Sequence, residues 1–362
     1  MTALADKLRR AIRFTGPMTV ADYMATALSD PEHGYYAGAR SSEAIGAAGD
    51  FVTAPEVSQM FGELIGLWCA DRWQALGAPD RVILVELGPG RGTLMSDTLR
   101  AARSVPGFSD AIELHLVETS PALRSAQRAL LADTFVQWHD DITTVPDGPA
   151  LLIANEFFDA LPIHQYVGAG DTWRERLVSA MPDGELIFQE APGPTPRTAI
   201  MRKLGAPPKP GDVAEISPAA ISLANTIGAR LVEFPGAAII VDYGRNGMIG
   251  DSLQAVGRHE FRDVLANPGD CDLTAHVDFS ALSRAASEAG AEVHGPVGQG
   301  EFLLALGIEM RAAALSQSAT PKQAEDIEAA LGRLIAPDQM GHLFKALAIT
   351  SPGQATPPGF SA

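Results

Sequence analysis

Residues 81–103 read RVILVELGPGRGTLMSDTLRAAR, an apolar run, then a glycine-rich turn, then a helical stretch. An uninterrupted apolar strand needs cover on both faces, which a sheet between two helix layers supplies. The unit recurs. IELHLVETS reads as a second strand, and PALRSAQRALLA as a helix with Pro121 at its first position, where a missing N–H costs nothing. WHDDI follows a third strand, and PALLIANEFFDALP holds a fourth, fully apolar one. Strands alternating with helices predict an α/β fold with a mainly parallel sheet and helices on both faces.

The flanking segments have a different rhythm. Residues 1–80 read as a helical region interrupted by one Gly/Ala/Ser-rich loop. Leu4, Leu8 and Ile12 line up on a first helix, Thr19 caps a second, and Met60, Leu64, Leu67 and Trp68 mark the core face of a third. The alternating core spans residues 81–310 and carries two insertions. At about 171–215, TWRERLVSAM and LIFQEA flank PDGE as an antiparallel hairpin, followed by a proline-rich loop. At about 245–278 the chain reads as polar and irregular. SPAAISLANTIGARLVEF is a helix, GAAIIVDYG a further buried strand, and DFSALSRAASEAG a helix capped by Asp278. Residues 311–362 read as a C-terminal helix, about 321–335, and a tail.

Composition removes several function classes. The formal net charge of −17 is unfavourable for gripping phosphates, so no nucleic-acid partner is expected, and a basic protein partner fits better. No apolar run approaches the roughly 20 residues that span a bilayer, so no membrane insertion is expected. MTALADKLRR lacks a signal peptide's apolar stretch. Cys69 and Cys271 read as reduced thiols, and no Cys/His cluster has metal-ligand spacing, so no metal is expected. A cytoplasmic location follows as the expectation.

The turn Glu86-Leu-Gly88-Pro-Gly90-Arg-Gly92 sits where a strand ends and a helix begins, and its glycines let a ligand approach the backbone. The dinucleotide fingerprint requires a third glycine at the position held by Thr93, so that pattern fails. The Lys-Ser/Thr ending of a triphosphate-binding loop is absent. Glu86 would repel a pyrophosphate but suits a cation. S-adenosylmethionine carries a sulfonium and an ammonium and no phosphate. Glu118, at the end of the second strand, is placed to accept both ribose hydroxyl protons. After the third strand, Asp140 or Asp141, with Ile142, is placed for the adenine. A plain strand–helix turn and an exposed strand-end acid are the simpler alternatives.

The fourth strand runs into Asn155-Glu156-Phe157-Phe158-Asp159-Ala160-Leu161-Pro162. Carboxyl ends of strands face the ligand crevice in such sheets, which puts Asn155 and Glu156 near the transferred methyl group. Carboxylates fix a guanidinium through paired hydrogen bonds, so Glu156 and Asp159, three apart, are the acceptor-site candidates, with Asn155 beside them. The simpler alternative has Asp159 capping a turn. Asp50, Thr53 and Glu56 in GDFVTAPE are candidates for a lid or substrate contact. Tyr243 in VDYG is a candidate acceptor-pocket residue, and His276 a candidate base, although a lone histidine near acids is more often structural.

Together NEFFDALP, MTVADYMATALSDPEHGYY, GDFVTAPEVSQMFGELIGLW, VELGPGRGTL, VDYG, LANPGDCDLTAHVDF and QGEFLLALGIEMR make the chain similar, over about residues 15–310, to the MidA-like methyltransferase family. The resemblance implies a Rossmann-like class I methyltransferase fold with extra elements and S-adenosylmethionine as cofactor. The mitochondrial member is implicated in symmetric dimethylation of an arginine on a core subunit of respiratory complex I. The implied function is therefore a protein arginine N-methyltransferase whose protein substrate is a complex I core subunit, in a bacterial cytoplasm. Alternatives are a small-molecule or other protein methyltransferase, and a cofactor-binding assembly factor that holds a folding partner.

Overall fold

The computed structural model describes residues 2–36, 52–194, 208–257 and 259–360. The chain opens with α1 (Ala3–Thr15), the two-residue strand β1 (Met18–Thr19) and α2 (Val20–Ser29). Thr2 and Thr19 cap these helices, each side chain accepting a hydrogen bond from the backbone three residues on. Leu4, Leu8 and Ile12 are all buried. The short α3 (Ala54–Val57) and the long α4 (Gln59–Ala75) follow. Met60, Leu64 and Trp68 are buried on α4, but Leu67 is 42% exposed and lies off the core face.

The alternating core follows in order: β2 (Val82–Leu87), α5 (Thr93–Ala102), α6 (Phe108–Ala111), β3 (Ile112–Val117), α7 (Pro121–Leu130), β4 (Val136–His139) and β5 (Ala150–Asn155). Trp138 and His139 of WHDDI belong to the third strand itself. The inserted strands are β6 (His164–Ala169), β7 (Thr172–Ala180), β8 (Leu186–Glu190) and β9 (Val213–Ile216). After α8 (Pro218–Glu233) and β10 (Gly236–Arg245) come β11 (Gln254–Gly257), β12 (Glu260–Arg262), β13 (Asp272–Thr274), β14 (Val277–Asp278) and α9 (Phe279–Glu288). The chain ends with β15 (Glu292–Gly298), α10 (Gln299–Ala305), α11 (Ile308–Ser316), α12 (Pro321–Ile335), α13 (Met340–Leu343) and β16 (Phe344–Thr350).

The main sheet runs β15-β16-β10-β5-β2-β3-β4, with β10, β5, β2, β3 and β4 parallel and β16 antiparallel to both its neighbours. Successive residues of a strand point to opposite faces, and the core divides accordingly. Val82, Leu84, Leu151, Ile153 and Ile239 pack with α4 and α5. Ile83, Val85, Leu152, Ala154 and Ile240 pack with α8 and α9. Each such buried Val, Leu or Ile side chain contributes about 1.5–3 kcal/mol relative to exposure. Close approach of α4 to α5 needs Gly62 and Gly66. A Cβ at Gly62 would lie 2.6 Å from Asp97 Cβ, and one at Gly66 2.9 Å from Thr98 Cα.

Two features depart from the sequence reading. The C-terminal segment is more than a helix and tail, because β16 lies inside the main sheet between β10 and β15. Residues 245–278, expected to be irregular, supply the antiparallel sheet β12-β11-β13. The β7–β8 hairpin is present but sits in a larger antiparallel sheet, β1-β7-β6-β9 with β8 on β7. The side chains of α1 and α2 pack against this inserted sheet and against Ala255, Leu273 and Ala275, whereas α4 belongs to the main core.

Candidate active site

A cleft of about 330 Å³ follows the carboxyl edge of the parallel strands. The turn after β2 forms its floor. Gly88, Gly90 and Gly92 all have positive φ, at 61°, 53° and 89°. At Gly88 a Cβ would lie 2.4 Å from the Phe157 ring, so glycine is required there on two counts. Gln127 of α7 fixes the turn, since its Nε2 donates to Gly90 O at 2.7 Å and to Glu118 Oε2 at 3.3 Å. Trp138 Nε1 donates to the same amide's oxygen at 2.8 Å.

Glu86, Glu118 and Asn155 all line the cleft. Glu86 is 2% exposed, and its Oε2 has no hydrogen-bond partner among the described residues. Burial, with the Glu118 charge beside it, pushes its carboxyl up to about 8. Glu118 Oε1 accepts from Ser120 N at 2.7 Å, and burial raises this carboxyl too. Asn155 Oδ1 is a second buried acceptor without a partner among the described residues. Asp140 lines the cleft, paired at 2.7 Å with Arg124, whose guanidinium also donates to the carbonyls of Glu118 and His139.

Two adenine candidates lie elsewhere. Asp141 accepts from the N–H and hydroxyl of Thr143, capping a 3-10 turn, and Ile142 is buried in the core beneath the sheet.

Glu156 sits immediately after β5 with φ 48°, in the left-handed region. Its Oε1 accepts from Ala54 N at 2.7 Å and from Asn155 Nδ2 at 3.2 Å. Among the described residues no hydrogen bond reaches Oε2. Burial outweighs these donors and pushes the carboxyl up to about 7. The left-handed turn is held by Asp242, whose Oδ2 accepts from Phe157 N, Phe158 N and Asp159 N at 3.1, 2.9 and 3.3 Å. A buried carboxylate inside the apolar run IIVDYG was a signal that the sequence reading passed over in favour of its neighbour Tyr243.

Asp159 does not share a face with Glu156. It lies behind the cleft among Asp242, Tyr36 and Tyr243, and burial pushes it up to about 6. Tyr243 and His276 are also off the cleft. Their rings pack edge to face at 5.5 Å, Tyr243 Oη accepts from Gln254, and His276 borders a small separate cavity beside Glu215.

Thr53 and Glu56 line the cleft from above, and Glu56 Oε1 accepts from the Thr93 hydroxyl at 2.6 Å. Arg333 of α12 donates to Val52 O at 3.4 Å. Asp50 lies outside the described residues. Tyr36, Phe157 and Leu161, not foreseen from the sequence, complete the walls.

Five carboxylates line the cleft (Glu56, Glu86, Glu118, Asp140, Glu156) against one cationic side chain among the described residues, Arg91. Two unpartnered buried acceptors and a glycine cradle fit a cationic ligand that brings hydroxyl and ammonium donors. S-adenosylmethionine is such a ligand: Glu86 and Asn155 suit its amino-acid end, and Glu118 its ribose.

Known proteins agree with this chemistry. The sequence profile of an S-adenosyl-L-methionine-dependent methyltransferase family matches residues 64–297. The human mitochondrial protein arginine methyltransferase NDUFAF7 is 35% identical over 96% of this chain and 83% of its own length. The mitochondrial NDUFAF7 homolog of Caenorhabditis elegans is 38% identical over 96% and 85%. A Burkholderia thailandensis structure bound to S-adenosyl-homocysteine superposes with TM-score 0.85 at 30% identity, covering 99% of this chain and 94% of that one. No helix among the described residues is long and apolar enough to cross a membrane. The cleft, the matching profile and these relatives together place the chain in the S-adenosyl-L-methionine-dependent methyltransferase family.

Proposed function

We propose that this methyltransferase acts on the guanidinium of a protein arginine, and that its substrate is a core subunit of respiratory complex I. The supporting observation is Glu156. It stands at the carboxyl end of β5 in a left-handed conformation, with one oxygen engaged by Ala54 N and Asn155 and the other without a hydrogen-bond partner among the described residues. The names of the relatives, protein arginine methyltransferases, point the same way.

When bound, S-adenosylmethionine supplies an electrophilic methyl group. The chain's part is alignment and charge. A guanidinium beside Glu156 favours the ionised carboxylate, whose Oε2 then accepts from one nitrogen and orients the plane of the group. A carboxyl poised near 7 also suits taking up the proton that the methylated nitrogen must lose. We assign Asn155 to cofactor positioning, and Asp159 to the buried support of the turn rather than to substrate contact. Thr53 and Glu56 are assigned to a lid, held by Thr93 and Arg333. Cys69 and Cys271 are not joined in a disulfide, which supports a reducing compartment such as the bacterial cytoplasm.

The test is turnover of S-adenosylmethionine with purified complex I core subunits. Wild-type protein should methylate an arginine, and Glu156→Gln should bind cofactor but transfer methyl groups at least about 100-fold more slowly. Cofactor binding without transfer to any subunit would replace this reading with that of a binding factor.

A further inference from the structure

The cleft is longer than the cofactor residues account for. Its lining runs along the sheet edge from Asp140 after β4, past Glu118 and the glycine turn, to Asn155 and Glu156 after β5. Beyond Glu156 the walls change character. Among the described residues they include Leu28 and Ser29 of α2, Tyr36, Ala160 and Leu161, all apolar or uncharged. Arg91, the one cationic side chain lining the cleft among the described residues, belongs to the glycine turn after β2.

Tyr36 is built into this wall with care. The segment after α2 doubles back, so that Tyr35 N donates to Ala27 O at 3.0 Å and Tyr36 N to Leu28 O at 2.9 Å. Asp30 holds the reversal by accepting from Glu32 N and His33 N. Gly34 permits it, because a Cβ there would lie 2.4 Å from Asp30 N. The Tyr36 hydroxyl donates to Asp272 Oδ1 of β13 at 2.8 Å, and its ring meets Tyr35 edge to face at 5.1 Å. Backbone, ring and hydroxyl are therefore all engaged. A tyrosine whose polar end is already satisfied offers the cleft an aromatic surface, which suits methylene groups and a neighbouring cation.

We propose that this end of the cleft is the subsite for the alkyl stem of the methyl acceptor, with Tyr36 as its specificity-determining side chain. Three methylene groups lie against Tyr36, Leu28 and Leu161 and carry the terminal cation to Glu156. The proposal rests on the guanidinium reading above and adds what selects the stem. It also assigns selection to elements outside the parallel fold, since α2 packs on the inserted sheet and the Tyr36 anchor, Asp272, lies in the three-stranded one.

The test uses the full chain saturated with S-adenosylhomocysteine and three probes: guanidinium, n-propylguanidinium and n-butylammonium. Affinities are read by ligand-observed NMR. The expected order puts n-propylguanidinium first. Tyr36→Ala should weaken n-propylguanidinium about tenfold while leaving guanidinium and S-adenosylhomocysteine unchanged. Tyr36→Phe, which keeps the ring and loses the anchor to Asp272, should fall between. Leu161→Ala makes the same comparison from another wall if Tyr36→Ala does not fold. Equal losses for guanidinium and n-propylguanidinium, or no loss for either, overturn the stem subsite. If the Tyr36 dependence holds but n-butylammonium binds best and Glu156→Gln leaves n-propylguanidinium unchanged, the guanidinium reading falls and the stem subsite stands. Binding of none of the three probes overturns both.

Discussion

Cofactor binding should depend steeply on pH, and Glu86 is the reason. Its carboxyl is buried and sits beside Glu118, which together push it up to about 8, and among the described residues its Oε2 has no hydrogen-bond partner. At pH 7 such a group is about nine-tenths protonated. A cationic ligand is held by the ionised form, so binding expels the proton, and each pH unit below 8 costs nearly tenfold in affinity. Between pH 5.5 and 7, where the ligand's own ammonium stays charged, S-adenosylmethionine affinity should rise about 30-fold.

The assay is calorimetric titration in two buffers of different ionisation enthalpy, which counts the protons released. Close to one proton should leave per ligand at pH 6, and Glu86→Gln should bind more weakly with little pH dependence. In the cofactor-free protein the sign is opposite. A carboxyl raised above its unfolded value favours the folded state below about pH 4.5, and that contribution is lost as pH rises through 8. Stability without cofactor should therefore fall across this window, and saturating cofactor should flatten the fall. An affinity that is flat between pH 5.5 and 7, with no proton release, would refute the placement of a cation against Glu86.

Three further outcomes follow from the geometry. Glu118→Ala should weaken S-adenosylmethionine by about 1.5–3 kcal/mol, the scale of a hydrogen bond to a charged group, with Glu118→Gln milder; titration of both variants checks the ribose assignment. Gly88→Ala places a Cβ against the Phe157 ring at a positive φ, so thermal melts should show a loss of about 1–3 kcal/mol, together with weaker cofactor binding. Asp242→Asn replaces one of two acceptor oxygens by an NH2 group, which must then face either the N–H groups of Phe157, Phe158 and Asp159 or that of Tyr243, so kcat should fall about tenfold or more while cofactor Kd holds. Steady-state kinetics alongside cofactor titration would separate that outcome from general unfolding.

The parts of this fold that were legible are those with local signals. The apolar runs that became β2, β3, β5 and β10, the caps Thr19 and Asp278, and the helix Pro121–Leu130 each follow from residues within one turn or strand. Strand β16 was hidden because FKALAIT gains its place only by pairing with β10 and β15, more than 40 residues away. Strands β11 to β13 are three or four residues long, amid glycine, asparagine and aspartate, too short for a periodic pattern.

The cofactor half of the site shows the same division. Glu86, the glycines and Glu118 lie at strand ends, where topology alone aims them at the cleft. Between Asp140 and Asp141, the turn geometry after β4 decided, and it sent Asp141 into a cap. Asp159 does not share a face with Glu156, because the segment after Glu156 starts from a left-handed residue and makes a single 3-10 turn, so helical spacing does not apply. Tyr36 reaches the cleft only through the fold-back after α2 and its anchor on Asp272, and no local pattern encodes a contact 236 residues distant.

Modification of a protein arginine through Glu156 can be read by mass spectrometry of complex I subunits. Cells lacking the protein should be compared with cells complemented by the wild type or by Glu156→Gln. An arginine should be methylated with the wild-type protein and unmethylated without it or with the variant, although the variant still binds S-adenosylmethionine. Identical arginine methylation in all three, or full restoration by Glu156→Gln, would contradict that role of Glu156.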